Sequence, residues 1–213
     1  MKPNVATVGA LSLTFVLGVI LLCRIFVFEI RRIPSSSMVP SYKPGDIVLV
    51  YKYGYGTYRL GNFTFYNREP SVEIKAGQSL VFKHPVQTKI DYLKRVVGLP
   101  HDKVTLRHNA LFVNDIQVPA KQVHPNHPHI YEQTLDGTTF NIRLESDPDK
   151  QATHHKPAKT WQVPDKHLFV LGDHRDRSND SRYWGFVPNN HVIGIVKLRL
   201  WPLKKSEPNN VSK

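Results

Sequence analysis

Three short segments of this 213-residue chain contain the side chains that nucleophilic catalysis requires. They are residues 33–40, IPSSSMVP, residues 91–100, DYLKRVVGLP, and residues 172–185, GDHRDRSNDSRYWG. A serine hydroxyl is a poor nucleophile until a base removes its proton. Lysine can be that base only when burial lowers its pKa well below the usual value of about 10.4. A serine from the first segment and a lysine from the second could therefore act together.

The second segment contains one residue suited to the role of base. Strand alternation in the run YLKRVV could turn either Lys94 or Arg95 inward, but an arginine does not lose its proton at accessible pH. We therefore assign the base to Lys94. The third segment supplies short hydroxyl and carboxylate side chains beside arginines, which suits a hydrogen-bonded surround that holds a lysine in place.

Two other classes of serine enzyme fit the sequence less well. A Ser-His-Asp hydrolase would use His174, but the Gly-x-Ser-x-Gly elbow is absent. Adjacent residues also diverge in direction, so Asp173 would not readily orient His174. A penicillin-binding type of enzyme needs Ser-x-x-Lys, and no serine here has a lysine three residues later.

Histidines in the middle of the chain raise the alternative of a membrane-tethered metal-binding module. They are His124, His127, His129, His154 and His155. The run His-Pro-Asn-His-Pro-His lacks helical spacing, and no carboxylate-rich or cysteine cluster near it would complete a zinc site. We expect at most opportunistic metal binding there, with no functional metal and no organic cofactor.

The N-terminal region, which must position the first segment, has the composition of a membrane anchor. Residues 5–23 carry no charge, and as a helix they would be about 28 Å long, close to the thickness of the hydrocarbon layer. A cleavable signal peptide would be followed by small residues, whereas Arg24 and bulky side chains follow here. A buried core helix of this length is uncommon in so small a domain. We predict one transmembrane helix over about residues 5–28.

The net charge of +12 favours a membrane surface, or no specific partner, over nucleic acid. No nucleic-acid motif accompanies the charge, and the basic residues are scattered along the chain. Only Lys2 precedes the apolar stretch, whereas Arg24, Arg31 and Arg32 follow it, so the positive-inside rule alone would leave the large domain in the cytoplasm. Cys23 is the single cysteine, which excludes an intrachain disulfide.

After residue 33 the sequence is typical of an all-β domain, with short β-branched and aromatic runs between Gly, Pro, Asn and Asp. Strands are predicted over residues 47–53, 78–83, 92–97, 103–107, 111–113, 168–171 and 192–200. Residues 108–110 are the predicted turn of a hairpin. Residues 53–71 and 121–159 have the composition of loops.

The predicted fold class is mainly β, with an N-terminal transmembrane helix followed by an antiparallel β-sheet catalytic domain. We expect an N-terminal segment over residues 1–30, the catalytic domain over 31–203 and a flexible tail over 204–213. A small, variable subdomain is expected as an insertion at about 104–166.

In this order, the three segments resemble those of bacterial type I signal peptidases. The similarity rests on Ile-Pro-Ser-x-Ser-Met-x-Pro, on Lys-Arg-Val-Val-Gly-Leu-Pro and on GDxRxxSxDSRxWG, and it covers roughly residues 20–200. The resemblance implies a serine endopeptidase in which Ser37 is the nucleophile and Lys94 the general base. Ser35 would join the backbone N–H of Ser37 in stabilising the oxyanion, and Ser178 would orient the lysine.

Further residues take structural or binding roles from the same resemblance. The implied structural partners around the site are Asp173, Arg175, Asp180 and Arg182. The implied lining of shallow substrate pockets is Ile33, Pro34, Met38, Tyr92 and Leu93. Such pockets would favour Ala-x-Ala before the cleaved bond.

The resemblance also implies substrates and a location. The chain would remove signal peptides from exported preproteins through an acyl-enzyme. It would cross the bacterial cytoplasmic membrane once, with its catalytic domain on the extracytoplasmic side, against the charge count above. A dedicated peptidase of a secretion or conjugation system, acting on a pilin-like subunit, remains the alternative. A self-cleaving repressor shares the Ser-Lys arrangement but would need a DNA-binding module in place of the anchor.

The sequence departs from the family's pattern at a few positions. His101 follows Leu-Pro where the family usually has glycine, so His101 must tolerate a positive φ there or the turn must differ. His174 stands where asparagine is frequent. Arg31 and Arg32 replace more apolar residues, and we expect them either to narrow a substrate pocket or to lie at the lipid headgroups.

Overall fold

The computed structural model describes residues 5–60, 63–107, 109–123, 125–145 and 158–201. The predicted tail and the histidines at 124, 154 and 155 lie outside the described residues. Two α-helices are present in the described part of the chain, α1 (Val5–Phe26) and α2 (Ser181–Trp184). The strands are β1 (Phe28–Arg32), β2 (Ile47–Tyr51), β3 (Thr57–Leu60), β4 (Phe63–Asn67), β5 (Ser79–Lys83), β6 (Asp91–Gly98), β7 (Lys103–Arg107), β8 (Ala110–Val113), β9 (Ile116–Val118), β10 (Lys121–Gln122), β11 (Ile130–Leu135), β12 (Thr138–Arg143), β13 (Lys159–Gln162), β14 (His167–Leu171), β15 (Val187–Pro188) and β16 (Val192–Trp201).

The N-terminal helix α1 leaves its apolar side chains exposed from Val8 to Leu22, as expected of a segment surrounded by lipid. Among the described residues it is the one helix long and apolar enough to cross a membrane. Arg24 lies in its last turn, where a cation is favoured by the negative end of the helix dipole. The ring of Phe26 packs 5.5 Å from the ring of Tyr58, so the end of α1 contacts the β domain directly.

A seven-stranded antiparallel sheet forms the centre of the β domain. Its strand order is β1-β2-β16-β5-β6-β14-β15. In β2, Val48 and Val50 are buried, and they alternate with partly exposed neighbours, which is the pattern of a strand with one face in a core. Arg31 of β1 reaches Asp91 of β6 although three strands separate β1 from β6, so the sheet curls until these two strands face each other across a cleft.

Two smaller sheets occupy the chain between β6 and β14. Their strand orders are β13-β7-β8-β9 and β10-β11-β12, and β3 pairs with β4 in a separate hairpin. Val97 and Phe169 of the large sheet share one core with Leu111 and Ile142 of the small sheets, so the small sheets pack against β6 and β14.

The strand predictions over the large sheet are confirmed to within two residues at each end, and the predicted hairpin of residues 103–113 is β7–β8. The loop interpretation of residues 53–71 and 121–159 is wrong, because β3, β4 and β10 to β12 lie there. In β11 the buried residues Tyr131, Gln133 and Leu135 alternate with exposed ones. Because Gln133 is polar, the apolar residues of this segment alone do not show the period of two that is typical of a strand.

Candidate active site

Ser37 lies in the turn that follows β1, and backbone contacts to two other segments hold this turn in place. The amide of Ile33 donates to the carbonyl of Asp46 over 2.8 Å, which ties the start of the segment to the residue before β2. The carbonyl of Ser37 accepts a hydrogen bond from the amide of His174 over 3.1 Å. Residues 33–40 and 172–185 therefore meet at the backbone of Ser37.

Lys94 projects from the middle of β6 towards this turn. Its Nζ lies 2.5 Å from Ser37 Oγ and, when protonated, donates a hydrogen bond to it. Ser35 Oγ lies 3.2 Å from Ser37 Oγ. The structure thus brings the predicted nucleophile, base and oxyanion residue together, with both Ser37 and Lys94 buried.

Burial lowers the pKa of Lys94 from 10.5 to about 8. The carboxylates of Asp180 and Asp173 oppose the shift, and the Arg182 guanidinium adds to it. The Tyr92 ring, whose centre lies 5.3 Å from Nζ, forms part of the surround. With that pKa roughly a tenth of the lysine is neutral at pH 7, against less than about one part in a thousand for an ordinary lysine. The site therefore supplies a usable population of the base.

Asp173 and Asp180 organise the loop around the lysine and make no hydrogen bond to the lysine itself among the described contacts. Asp173 accepts from Arg95 Nε and Nη2 over 2.7 and 2.6 Å, and both side chains are buried. Arg95 follows Lys94 in β6, so the two cations point to opposite faces of the strand. Asp180 accepts from the amide of Gly172 over 2.9 Å and from Arg182 Nε over 2.7 Å.

The other two supporting residues are also buried near the loop. Arg175 Nη2 donates to Gln133 Oε1 over 2.7 Å, and burial lowers the pKa of Arg175 to about 10. Ser178 Oγ has no hydrogen-bond partner in the described part of the chain, so it makes no bond to Lys94 in this structure. Its orienting role stays a prediction.

A cleft of about 290 Å³ opens above Ser37 and Lys94. All five residues predicted to bind substrate line it, and these are Ile33, Pro34, Met38, Tyr92 and Leu93. The described lining also includes Ser35, Ile90, Asp91 and Asn179, of which the last three were missed from the sequence. Ile33 and Met38 are buried at its wall, so the cleft has an apolar surface beside Ser37 and Lys94.

Gly172 is a further site residue that sequence reasoning did not single out. A Cβ at this position would lie 2.1 Å from Ser178 Oγ and 2.6 Å from the carbonyl oxygen of Ser37. Both distances are far inside van der Waals contact, which explains why glycine is needed where the two segments cross.

The departures from the family's pattern have structural consequences. His101 adopts φ of +70°, so the turn keeps a positive φ and His101 tolerates it. His174 is buried, and its Nε2 lies 3.0 Å from Glu145 Oε1. Arg31 pairs with Asp91 at the edge of the cleft, whereas Arg32 is exposed.

The histidine segment has no described metal site. Among the residues that the structure describes, no group of three or more His, Cys, Asp or Glu side chains is placed to hold a metal ion. His129 Nδ1 instead lies 3.2 Å from the carbonyl oxygen of Leu144.

Comparison with known proteins gives consistent matches over most of the chain. The family model described as "Signal peptidase, peptidase S26" matches residues 7–201. Signal peptidase I of Pseudomonas fluorescens is 34% identical, over 89% of this chain and 71% of its own. Signal peptidase I of Buchnera aphidicola is 32% identical over 90% and 76%, and that of Bacillus caldolyticus is 33% identical over 85% and 84%. The crystal structure of a signal peptidase I from Enterococcus faecalis matches 59% of this chain and 98% of its own at 26% identity, with a TM-score of 0.39.

Proposed function

Because this chain belongs to the signal peptidase family, peptidase S26, we propose that it is a membrane-bound serine endopeptidase that removes signal peptides from exported preproteins. The observation that carries the proposal is the 2.5 Å contact between Lys94 Nζ and Ser37 Oγ at the base of the cleft. Each relative reported above is a signal peptidase I, so no comparison favours the dedicated peptidase of a pilin-like subunit.

Acylation begins with the neutral amine of Lys94. The amine takes the proton of the Ser37 hydroxyl, and Oγ attacks the carbonyl carbon of the scissile bond. The resulting oxyanion is stabilised by the Ser35 hydroxyl and the Ser37 amide, and such a donor contributes about 3 kcal/mol to the transition state. The protonated Lys94 then gives its proton to the leaving amine, which departs as the new N-terminus of the mature protein. The signal peptide remains as an ester on Ser37.

Deacylation reuses the same base. Lys94, neutral again, takes a proton from a water molecule, and the hydroxide attacks the ester carbonyl. The second oxyanion forms at the same donors, and Ser37 Oγ leaves with the proton held by Lys94. The burial that lowers the pKa of Lys94 to about 8 is therefore used in both halves of the reaction.

The substrate is proposed to bind as an extended strand along β6. Pairing of β14 with β6 begins at Arg95, so in the described structure residues 91–94 pair with β5 on one side only. An extended peptide can form main-chain hydrogen bonds with such an edge. The shallow wall formed by Ile33, Met38 and Leu93 then suits small side chains, which supports Ala-x-Ala before the cleaved bond.

The anchor supports a membrane location for the proposed enzyme. Ser37 comes eleven residues after the last residue of α1, so the site lies close to the membrane surface. We place the catalytic domain over residues 31–203 on the extracytoplasmic side, with the small sheets as its inserted subdomain at about 104–166. A reporter that is active only in the cytoplasm, fused after residue 203, should give no signal. A strong signal would restore the orientation given by the charge count.

The proposed activity is tested by cleavage of a preprotein with purified full-length protein. Ser37→Ala and Lys94→Ala should each abolish cleavage, and the double variant should be hardly worse than either, because nucleophile and base act as a unit. Ser36→Ala is the matched control, since Ser36 is exposed and does not line the cleft. Cleavage by Ser37→Ala above about 1% of the wild-type rate would contradict the assignment.

A further inference from the structure

An ion pair lies at the edge of the cleft and includes Asp91, one of the lining residues. Arg31 Nη1 lies 2.6 Å from Asp91 Oδ2. Arg31 belongs to β1 and Asp91 is the first residue of β6, so the pair joins two strands of the curled sheet beside the cleft. Asp91 is three residues before Lys94, which places the pair about 10 Å from the base along an extended strand.

A second ion pair holds Arg31 in place. Its Nη2 lies 2.7 Å from Glu29 Oε1, and Glu29 Oε2 lies 3.2 Å from Lys52 Nζ. Lys52 is almost fully buried, so this row of alternating charges is anchored in the domain. The side chains of Arg31 and Asp91 remain 20% and 14% exposed, and Asp91 lines the cleft.

Asp91 is the only carboxylate among the described residues that line the cleft. We propose that Arg31 is a specificity-determining residue, which neutralises Asp91 and thereby prevents this edge of the cleft from selecting cationic side chains of the substrate. The inference rests on the proposed function, since the selected side chains are those of the signal peptide a few residues before the scissile bond.

The charge at this edge of the cleft decides the selectivity. In the wild-type protein the pair sums to zero. Arg31→Leu exposes a net negative charge, which attracts a lysine of the substrate, and Asp91→Asn exposes a net positive charge, which repels it. The double variant is again neutral. One partly exposed charge pair is worth up to about 1 kcal/mol, which corresponds to about a fivefold change in preference.

The test uses the full-length protein in detergent and peptides containing Ala-x-Ala. Lysine or glutamine is placed in turn at the variable positions two, four and five residues before the scissile bond. The measured quantity is the ratio of kcat/KM for the lysine peptide to kcat/KM for the glutamine peptide within each variant, so that differences in overall activity cancel. Arg32→Leu is the matched control, because it removes the same charge from the next, exposed residue of β1.

At one position of the peptide the ratio should rise about fivefold in Arg31→Leu and fall in Asp91→Asn. The double variant and Arg32→Leu should both give the wild-type ratio. These shifts should shrink at high salt. Asp91→Asn should change the ratio in the opposite direction to Arg31→Leu. The test therefore still gives an answer if one of these two variants fails to fold. Equal ratios in all variants at every position would overturn the inference, whereas failure of the wild-type protein to cleave any peptide would contradict the proposed function itself.

Discussion

Gly172 is the position at which one added methyl group should disturb catalysis most selectively. In Gly172→Ala the new Cβ would lie 2.6 Å from the Ser37 carbonyl oxygen and 2.4 Å from Ser178 Cβ. Non-bonded heavy atoms are optimally separated by about 3.5–4.0 Å, so the Ser37 turn must retreat by about 1 Å. The same carbonyl accepts from the amide of His174, and this hydrogen bond must stretch as the turn moves.

Two magnitudes follow from that displacement. A misplacement of about 1 Å in a reacting group lowers the rate by about 100-fold. Overpacking costs about 1–3 kcal/mol of folding free energy, and each kcal/mol lowers the melting temperature of a protein of this size by about 2–4 °C. Gly172→Ala should therefore lose about two orders of magnitude in kcat/KM and melt several degrees lower than the wild type.

Gly98→Ala is the matched control for this experiment. Its Cβ would lie 2.5 Å from a methyl group of Val104, so it overpacks the core without touching Ser37 or Ser178. Peptide cleavage and thermal melting of both variants separate the two effects, because Gly98→Ala should lose stability while keeping kcat/KM within about fivefold. A Gly172→Ala protein that cleaves within about fivefold of the wild type would refute the reasoning.

Three further substitutions test the electrostatics of the site. Between about pH 8 and 10.5 the unfolded chain holds a proton that folded Lys94 has lost, so the free energy of unfolding rises with pH over this range. Below about pH 8 the buried, charged lysine therefore destabilises the fold by its full amount. Lys94→Met should therefore stabilise the fold at pH 7, by up to about 3 kcal/mol, and melting curves should show the gain vanishing as the pH approaches 10.5. Asp173→Asn leaves the Arg95 cation buried without its carboxylate and should cost about 3–5 kcal/mol, measured by melting temperature. Ser178→Ala removes a hydroxyl with no described partner, so the free energy of unfolding should not fall. The orienting role that the family resemblance implies for Ser178 predicts a fall of roughly fivefold in kcat/KM; a drop in stability would show that the hydroxyl is bonded.

Residues with a narrow chemical requirement could be predicted from the sequence. Lys94 was separable from Arg95 because only lysine can lose a proton, and the structure shows both residues buried on opposite faces of β6. The strands of the large sheet were predictable because apolar runs such as β2 bury alternate side chains against one core.

Other features depend on contacts between distant segments and leave no local pattern. Gln133 occupies a core position because Arg175, distant in the sequence, needs an acceptor there. Gly172 is required by the approach of the Ser37 turn, which no spacing in the chain reveals. Arg31 was recognised as unusual, but its partner Asp91 is 60 residues away and became apparent only when the curl of the sheet was known.

The central claim is that a neutral Lys94 takes the proton of Ser37, and the pH dependence of kcat/KM on an Ala-x-Ala peptide tests it most directly. Because burial lowers the pKa of Lys94 to about 8, kcat/KM should rise about tenfold per pH unit from about pH 6 and level off above about pH 8. A flat profile over that range, or a rise that continues to about pH 10 as for an ordinary lysine, would contradict the account.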